Sequence, residues 1–291
     1  MDPVNLVANH SGLYVVVAAL FGLLVGSFLN VVIYRTPVIL SRQWQRDCQE
    51  LLGRASEPPS PVEPFNLIVP RSRCPHCGHA ITALENIPIL SYLWLRGRCS
   101  ACKKPIGLRY PAIELLAAAL AAVTAWHFGW GIAGFAAIVL TWALIALAFI
   151  DIDHQLLPDV IVLPFLWAGP LLNVSGAFTA LPHAVVGAAA GYLSLWLVFH
   201  LFKLITGKEG MGYGDFKLLA LFGAWLGWQS LPLIILLSSV IGALVGIGLI
   251  VFRGRDRAQP LPFGPYLAAA GWVALLWGDD IIARYLQIVR F

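Results

Sequence analysis

HAVVGAAAGYLSLWLVFHLFKLI, residues 183–205, is a nearly uncharged stretch long enough to cross a lipid bilayer. A helix needs about 20 apolar residues to span a hydrocarbon core of roughly 30 Å. The whole chain shares this character, because 59% of its 291 residues are hydrophobic and 12% are charged, against about 25% charged in ordinary soluble domains. The sequence therefore predicts an all-α polytopic membrane protein.

Seven more apolar windows surround this stretch. Together the eight windows predict about eight transmembrane helices, near residues 12–33, 111–128, 132–150, 157–173, 183–205, 215–230, 232–252 and 261–278. The first window has neither a basic segment before it nor a clear small-residue cleavage site after it, so we interpret it as a retained helix and not as a secretory signal.

Basic residues cluster in alternate connections between these helices. Of 19 lysines and arginines, 11 lie between Arg35 and Arg109. If that loop is cytoplasmic, eight crossings put 17 basic residues inside and 2 outside. Short basic loops stay on the cytoplasmic side, so we expect both termini outside. The net charge of +4 is explained by topology and implies no nucleic-acid partner.

The loop between the first two predicted helices has two parts. Its first part, through EPPSPVEPF, is polar and proline-rich, and we interpret it as a linker or irregular loop. The second part is rich in cysteine. The predicted domains are thus residues 1–33, a first transmembrane helix; 34–110, a cytoplasmic loop; and 111–291, a transmembrane domain.

Four of the five cysteines form two CxxC motifs in this loop. CPHC at residues 74–77 and CSAC at 99–102 are separated by 21 residues, close to the spacing of a four-cysteine zinc ribbon. Two disulfides, or a redox CxxC pair, are the alternatives, but disulfides rarely persist in the cytoplasm. Four thiolates leave zinc no open position, so this zinc is structural. The predicted ligands are Cys74, Cys77, Cys99 and Cys102. Cys48 has no partner at useful spacing and is interpreted as a free thiol.

Aspartates at helix ends are the candidates for chemistry, because ionisable groups at membrane depth are costly and usually functional. Asp151 lies in FIDIDHQLLPD after the third predicted helix, and Asp215 lies in GMGYGDFK, residues 210–217, before the sixth. The topology puts both on the cytoplasmic face. Two neighbouring carboxylates that share a proton can act as general base and general acid, as in aspartic proteases.

GMGYGDFK also has a plain structural interpretation. Its glycines at 210, 212 and 214 can adopt positive φ and let the backbone approach an extended peptide. Alternatively, they only break a helix and Asp215 is the N-cap of the next one. The residues alone leave both interpretations open. Asp159, which follows Pro158, is a candidate N-cap for the fourth helix.

In combination, GYGD at 212–215, FIDIDHQLLPD, the tandem CxxC loop and GSFLNVVIYR at 26–35 resemble the type IV prepilin peptidases, bifunctional leader peptidases and N-methyltransferases of bacterial inner membranes. The match covers nearly the whole chain. The resemblance implies that Asp151 and Asp215 form the catalytic pair, and that Asp153 and Asp159 do not. It also implies cleavage of the basic leader from prepilins and pseudopilins at the cytoplasmic face, then methylation of the new N-terminus with S-adenosylmethionine.

The residues that serve methylation are less clearly indicated by the sequence. The resemblance makes Gly97 and the four cysteines important for methylation, although Gly97 can equally be a plain turn residue. Glu114, in an apolar helix start, is a candidate contact for cofactor or substrate amine, or an interfacial residue near Arg109. Candidate counter-charges for the leader are Glu57, Glu63 and Glu85.

Two other classes remain as alternatives. A transporter binds its solute near mid-membrane with broken helices in two inverted halves, whereas these aspartates fall at segment ends and no second broken helix is evident. A presenilin-like protease also carries GxGD, but it lacks the tandem CxxC loop. The pilus or secretion role and the oligomeric state are not predicted.

Overall fold

The computed structural model describes residues 11–53, 64–253 and 261–289. Nine α-helices occur in these ranges, and the described residues form no strands apart from two isolated β-bridges. The helices are α1 Ser11–Leu51, α2 Leu90–Trp94, α3 Arg109–Phe128, α4 Ile132–His154, α5 Asp159–Asn173, α6 Leu181–Thr206, α7 Tyr213–Leu226, α8 Leu231–Arg253 and α9 Gly264–Val289. The predicted all-α fold class is confirmed.

Each of the eight predicted windows overlaps one of these helices, and α2 is the extra element. Six helices are long and apolar enough to cross a membrane. The other two, α5 with 15 residues and α7 with 14, extend only about 20 Å at 1.5 Å per residue. Both are shorter than the roughly 30 Å hydrocarbon core, so the count of eight spanning helices is only approximate.

The prediction of a linker directly after residue 33 was wrong for its first part. Helix α1 continues as far as Leu51 with Pro37 inside it. The segment 38–51 contains no glycine and no further proline, so a polar helix extends from the apolar one without a breaking residue. Arg35 is buried and donates hydrogen bonds to the carbonyls of Asn66, at 2.8 Å, and Pro70, at 2.6 Å.

The chain divides into two compact units, one ending at Trp126 and the other beginning at His127. In the first, α1 packs closely on α3. A Cβ at Gly22 would lie 2.8 Å from the Cα of Ala118, and one at Gly26 would lie 2.6 Å from the Cα of Glu114. This small-xxx-small pattern lets two membrane helices approach. The second predicted span, α3, lies in this first unit together with the cysteine-rich segment.

In the second unit, α7 is the central element. Phe216 and all residues from 218 to 225 are buried, because α5, α6 and α9 pack around them. Glycines again permit the approach, since a Cβ at Gly187 of α6 would collide with the carbonyl of Gly223. The short helix that begins with GYGD is therefore enclosed by protein.

Candidate active site and candidate metal centre

Asp215 is buried at the beginning of α7. It is the third residue of the helix, and the N-cap position belongs to Gly212. Asp215 is 6% exposed, and its Oδ1 atom has no hydrogen-bond partner among the described residues. An N-cap side chain would bond the amides of the first turn, so the interpretation of Asp215 as an N-cap is wrong. A buried polar atom without a partner is uncommon and calls for a functional explanation.

Asp151 is equally buried at the end of α4. It is 6% exposed, and its Oδ2 accepts a hydrogen bond of 3.0 Å from the amide of Gly264, the first residue of α9. Helix α4 ends three residues later, where Gln155 adopts the left-handed conformation with φ of 51°. One backbone amide thus orients the Asp151 carboxylate.

The two carboxylates lie close enough for their charges to interact. The side chain of Leu157 packs against Gly214, the residue before Asp215, and against Gly264, the residue that bonds Asp151. A Cβ at Gly214 would lie 2.8 Å from the Leu157 Cβ, and a Cβ at Gly264 would lie 2.7 Å from Asp151 Oδ2 and 3.2 Å from Leu157 Cδ2. Two buried carboxylates whose charges repel each other do not both ionise cheaply, so sharing one proton is favoured.

The glycines of GMGYGDFK act differently from the prediction. None of the three has positive φ, and Gly212 is extended with φ of −86°. Gly214 instead provides space, because any side chain there would meet Leu157. The expectation of positive φ was wrong; close packing beside Asp215 requires the glycine at 214.

Asp159 pairs with a lysine and does not cap α5. The N-cap is Pro158, and no side-chain cap bond forms there. Lys217 Nζ lies 2.7 Å from Asp159 Oδ1 and 2.8 Å from Oδ2. The pair joins the first residue of α5 to the second turn of α7. Asp153 is exposed, in contrast to Asp151.

The four predicted metal ligands converge in the first unit. Their Sγ atoms all lie within 4.8 Å of one another. The Sγ atoms of Cys74 and Cys102 are 3.8 Å apart, and those of Cys77 and Cys99 are 4.0 Å apart. Tetrahedral thiolates at about 2.3 Å from zinc stand about 3.8 Å apart. The four cysteines therefore could hold one metal ion. Cys48 is exposed and free.

Both knuckles have the same backbone pattern. The amide of Cys74 bonds the carbonyl of His79, and that of Cys99 bonds the carbonyl of Lys104. Gly78 and Lys103 occupy the equivalent turn position with φ of 72° and 60°. The amides of His76 and Cys77 lower the pKa of Cys74 to about 6, which favours the thiolate that binds metal.

Gly97 lies directly before the second knuckle, in a turn. Its φ is 65°, and a Cβ there would lie 2.8 Å from Tyr92 Oη. Its amide and carbonyl bond Tyr92 and Ile106. Glycine is thus required here by backbone conformation and by packing.

Glu114 is buried in α3 and 8% exposed. Its Oε2 accepts a hydrogen bond of 2.8 Å from the amide of Ile89, a β-branched residue with φ of 60° at the N-cap of α2. Such a residue rarely adopts positive φ, and the carboxylate holds it there. Glu114 thus ties the segment leading to Gly97 to a membrane helix.

Glu85 is engaged within the loop. It accepts bonds from the amide and hydroxyl of Thr82, at 2.8 and 2.9 Å, and lies 3.3 Å from His79 Nε2. Hydrogen bonds from Ser100 and Thr82 lower the pKa of Glu85 to about 2. Its geometry suits a role in bracing the knuckles. The other two candidate counter-charges, at positions 57 and 63, lie outside the described residues.

Sequence reasoning missed Gly264, whose amide bonds Asp151, and Leu157, which packs against Gly214 and Gly264. The signal for Gly264 is the string PFGP at 262–265, where a glycine stands between prolines at the start of an apolar window. Leu157 is one of two leucines in HQLLPD and carries no comparable signal.

These features define a class: a multi-pass helical membrane protein with a buried aspartate pair and a four-cysteine cluster. The chain matches the Bacterial Peptidase A24 N-terminal domain over residues 20–128 and the Type IV leader peptidase family over residues 138–247. The chain belongs to this leader peptidase family.

Full-length relatives agree with the two domain matches. The chain is 56% identical over 290 residues to the prepilin leader peptidase/N-methyltransferase of Stutzerimonas stutzeri and 54% identical over 291 residues to that of Pseudomonas aeruginosa, with 100% of each chain covered. It is 58% identical over 276 residues to the enzyme of the same name from Aeromonas hydrophila, with 94% of each covered. No solved structure matches the chain.

Proposed function

We propose that this protein cleaves the leader peptide from prepilins and pseudopilins and then N-methylates the new N-terminal residue. The observation that carries the peptidase half is the pair of buried carboxylates in one unit, one of them with an unpartnered oxygen. The relatives named above carry both activities in their names.

The peptidase mechanism uses the two carboxylates as one unit. One of them, ionised, takes a proton from water, and the other, protonated, donates to the scissile carbonyl. Asp151, oriented by the Gly264 amide, suits the ionised role because an N–H donor stabilises a carboxylate. Asp215, with a free oxygen in an enclosed site, suits the protonated role. Burial excludes bulk water from the pair and so strengthens their interaction.

Zinc fits the four-cysteine cluster, since the sulfur separations match tetrahedral thiolate ligation. In this proposal the ion is structural and holds the two knuckles together, because four thiolates fill its coordination sphere. Hydrogen bonds within the loop add to this. Glu85 accepts one from Thr82, and the backbone of Gly97 bonds that of Tyr92 and Ile106.

S-adenosylmethionine is the methyl donor in this proposal, following the methyltransferase names of the relatives. The two residues expected to contact it do not fit that role directly. Gly97 packs on Tyr92, and the Glu114 carboxylate already accepts the Ile89 amide. We therefore assign both residues to positioning the loop.

The proposed location is the bacterial inner membrane, with the aspartates and the cysteine-rich domain facing the cytoplasm. Support comes from the distribution of basic residues, which eight crossings divide 17 inside against 2 outside, under the positive-inside rule. Substrates then enter with a basic leader in the cytoplasm and a hydrophobic segment in the bilayer.

Both activities are tested by incubating the purified protein with a prepilin and labelled S-adenosylmethionine. We expect a shortened product carrying label at its new N-terminus. A chain that leaves the prepilin intact, although its helices are folded by circular dichroism, would overturn the proposed function.

A further inference from the structure

The short helix α2 exposes a set of large apolar side chains. Leu90, Leu93 and Trp94 are 65%, 65% and 78% exposed, and their i, i+3, i+4 spacing puts them on one face of the helix. Single exposed apolar residues are ordinary on a protein surface, whereas a contiguous set indicates an interaction surface. We call these three residues the α2 face.

The segment that contains α2 carries charge of one sign. Between Asn86 and Ile113 there are five lysines and arginines and no aspartate or glutamate. Arg96 and Arg98 come within four residues of the end of α2 and are exposed. An apolar helix face that includes tryptophan and is flanked by basic residues is typical of a helix that lies in a membrane interface.

A hydrogen bond sets the depth of α2 relative to the membrane. The amide of Ile89, the residue before α2, donates to Glu114 Oε2 at 2.8 Å. Glu114 lies five residues into α3, a helix long and apolar enough to span a bilayer, which is about 7.5 Å along the helix axis. The start of α2 is therefore level with the first turns of a membrane span. Interfacial helices bury their apolar face about 5–10 Å into the boundary between headgroups and acyl chains, so the two depths agree.

The other end of α2 is also tied to the beginning of α3. The carbonyl of Gly97, three residues after the end of α2, accepts a hydrogen bond of 2.7 Å from the amide of Ile106. Ile106 comes three residues before α3 begins. With both of its ends bonded to residues in or next to α3, the whole of α2 is held near the level at which α3 enters the membrane.

We propose that α2 lies in the interface of the adjoining bilayer leaflet, with the α2 face among the acyl chains and Arg96 and Arg98 at the phosphate groups of the lipids. Arginine suits phosphate because its guanidinium donates two parallel hydrogen bonds. The second cysteine knuckle begins at Cys99, directly after Arg98, so the four-cysteine cluster is held against the membrane surface. The inference goes beyond the proposed function and depends on neither proposed activity.

Lipid is the occupant that accounts for all three features together. A protein partner could cover an apolar face, but it would not explain why that face lies at the entry level of a membrane span. A substrate helix or a second copy of this chain would reach the α2 face only by displacing the lipid that surrounds α3 at that level.

The test places a photo-reactive residue in the full-length protein, reconstituted in vesicles of phosphatidylethanolamine and phosphatidylglycerol. Leu93→p-benzoylphenylalanine and Leu90→p-benzoylphenylalanine put the probe on the α2 face, where both side chains are exposed and the fold is not disturbed. Gln49→p-benzoylphenylalanine is the matched control, because Gln49 is exposed near the end of the polar extension of α1. Irradiation followed by mass spectrometry of the intact chain identifies what is bonded at each position.

We expect phospholipid adducts at positions 90 and 93 and loss of the adduct at position 49, with or without prepilin present. A second copy of the chain bonded at the two α2 positions, or no adduct at either, overturns the inference. Prepilin that replaces lipid at both positions also overturns it and makes the α2 face a substrate-docking surface. Equal lipid adducts at positions 49 and 93 overturn it as well, because the α2 face would then have no special relation to the bilayer.

Discussion

Gly264→Ala is a small change that acts directly on the Asp151 carboxylate. The added Cβ would lie 2.7 Å from Asp151 Oδ2 and 3.2 Å from Leu157 Cδ2, closer than carbon and oxygen atoms tolerate. The amide itself is retained, so the effect comes from displacing the carboxylate from its 3.0 Å hydrogen bond. Since φ of Gly264 is not positive, alanine meets no backbone strain.

The expected magnitude follows from that hydrogen bond. A bond to a charged group is worth about 1.5–3 kcal/mol, and each 1.4 kcal/mol of barrier is about tenfold in rate. We therefore expect kcat/KM for leader cleavage to fall about ten- to hundred-fold. The assay is cleavage of a purified prepilin, followed by mass spectrometry.

Methylation of a substrate supplied already cleaved provides the control, and Gly248→Ala, in open space on α8, is the matched variant. Both should match the wild type. If Gly264→Ala cleaves prepilin at the wild-type rate, the contact between Gly264 and Asp151 has no part in catalysis, and the proposed orientation of Asp151 by the Gly264 amide is refuted.

Three other predictions concern the supporting structure. Purified protein should contain about one zinc per chain by elemental analysis, and Cys99→Ser should lower it; reduced thiols without metal would contradict the zinc assignment. Lys217→Met should slow cleavage by at most about fivefold, because a partly exposed ion pair is worth up to about 1 kcal/mol, and exchanging the charges with Asp159→Lys and Lys217→Asp should restore the rate. Glu114→Ala should reduce methylation but not cleavage, because the Ile89 amide loses its acceptor at a cost of about 1–3 kcal/mol; Glu114→Gln keeps an acceptor and should retain methylation, and equal loss in both variants would exclude a positioning role.

The helices were predictable because a membrane-spanning helix must satisfy its backbone internally and present about 20 apolar residues. A search for apolar stretches does not detect a polar helix. For this reason the continuation of α1 to Leu51 was missed. It also counts short buried helices as membrane-spanning ones. Helix α7 is apolar because protein encloses it, and apolarity alone does not distinguish enclosure by protein from enclosure by lipid.

The candidate site was predictable in part. The CxxC spacing and the placement of Asp151 and Asp215 on one face of the membrane follow from sequence and topology, and the structure brings each set together. Gly264 was not predictable, since 113 residues separate it from Asp151 and no local pattern links them. The role of Asp159 was missed for the same reason, because its partner Lys217 is 58 residues away.

The central claim is that Asp151 and Asp215 act as one catalytic unit. Asparagine keeps the side-chain size but neither shares a proton nor accepts one from water, so Asp215→Asn should abolish cleavage. Groups that act as a unit have non-additive effects, so Asp151→Asn combined with it should be no worse, while the exposed Asp153→Asn should stay active.

The most direct measurement is single-turnover cleavage of a prepilin by Asp215→Asn, with methylation of a pre-cleaved substrate in the same preparation as the test of folding. The account predicts no cleavage and wild-type methylation. Leader cleavage near the wild-type rate by this folded variant would contradict it.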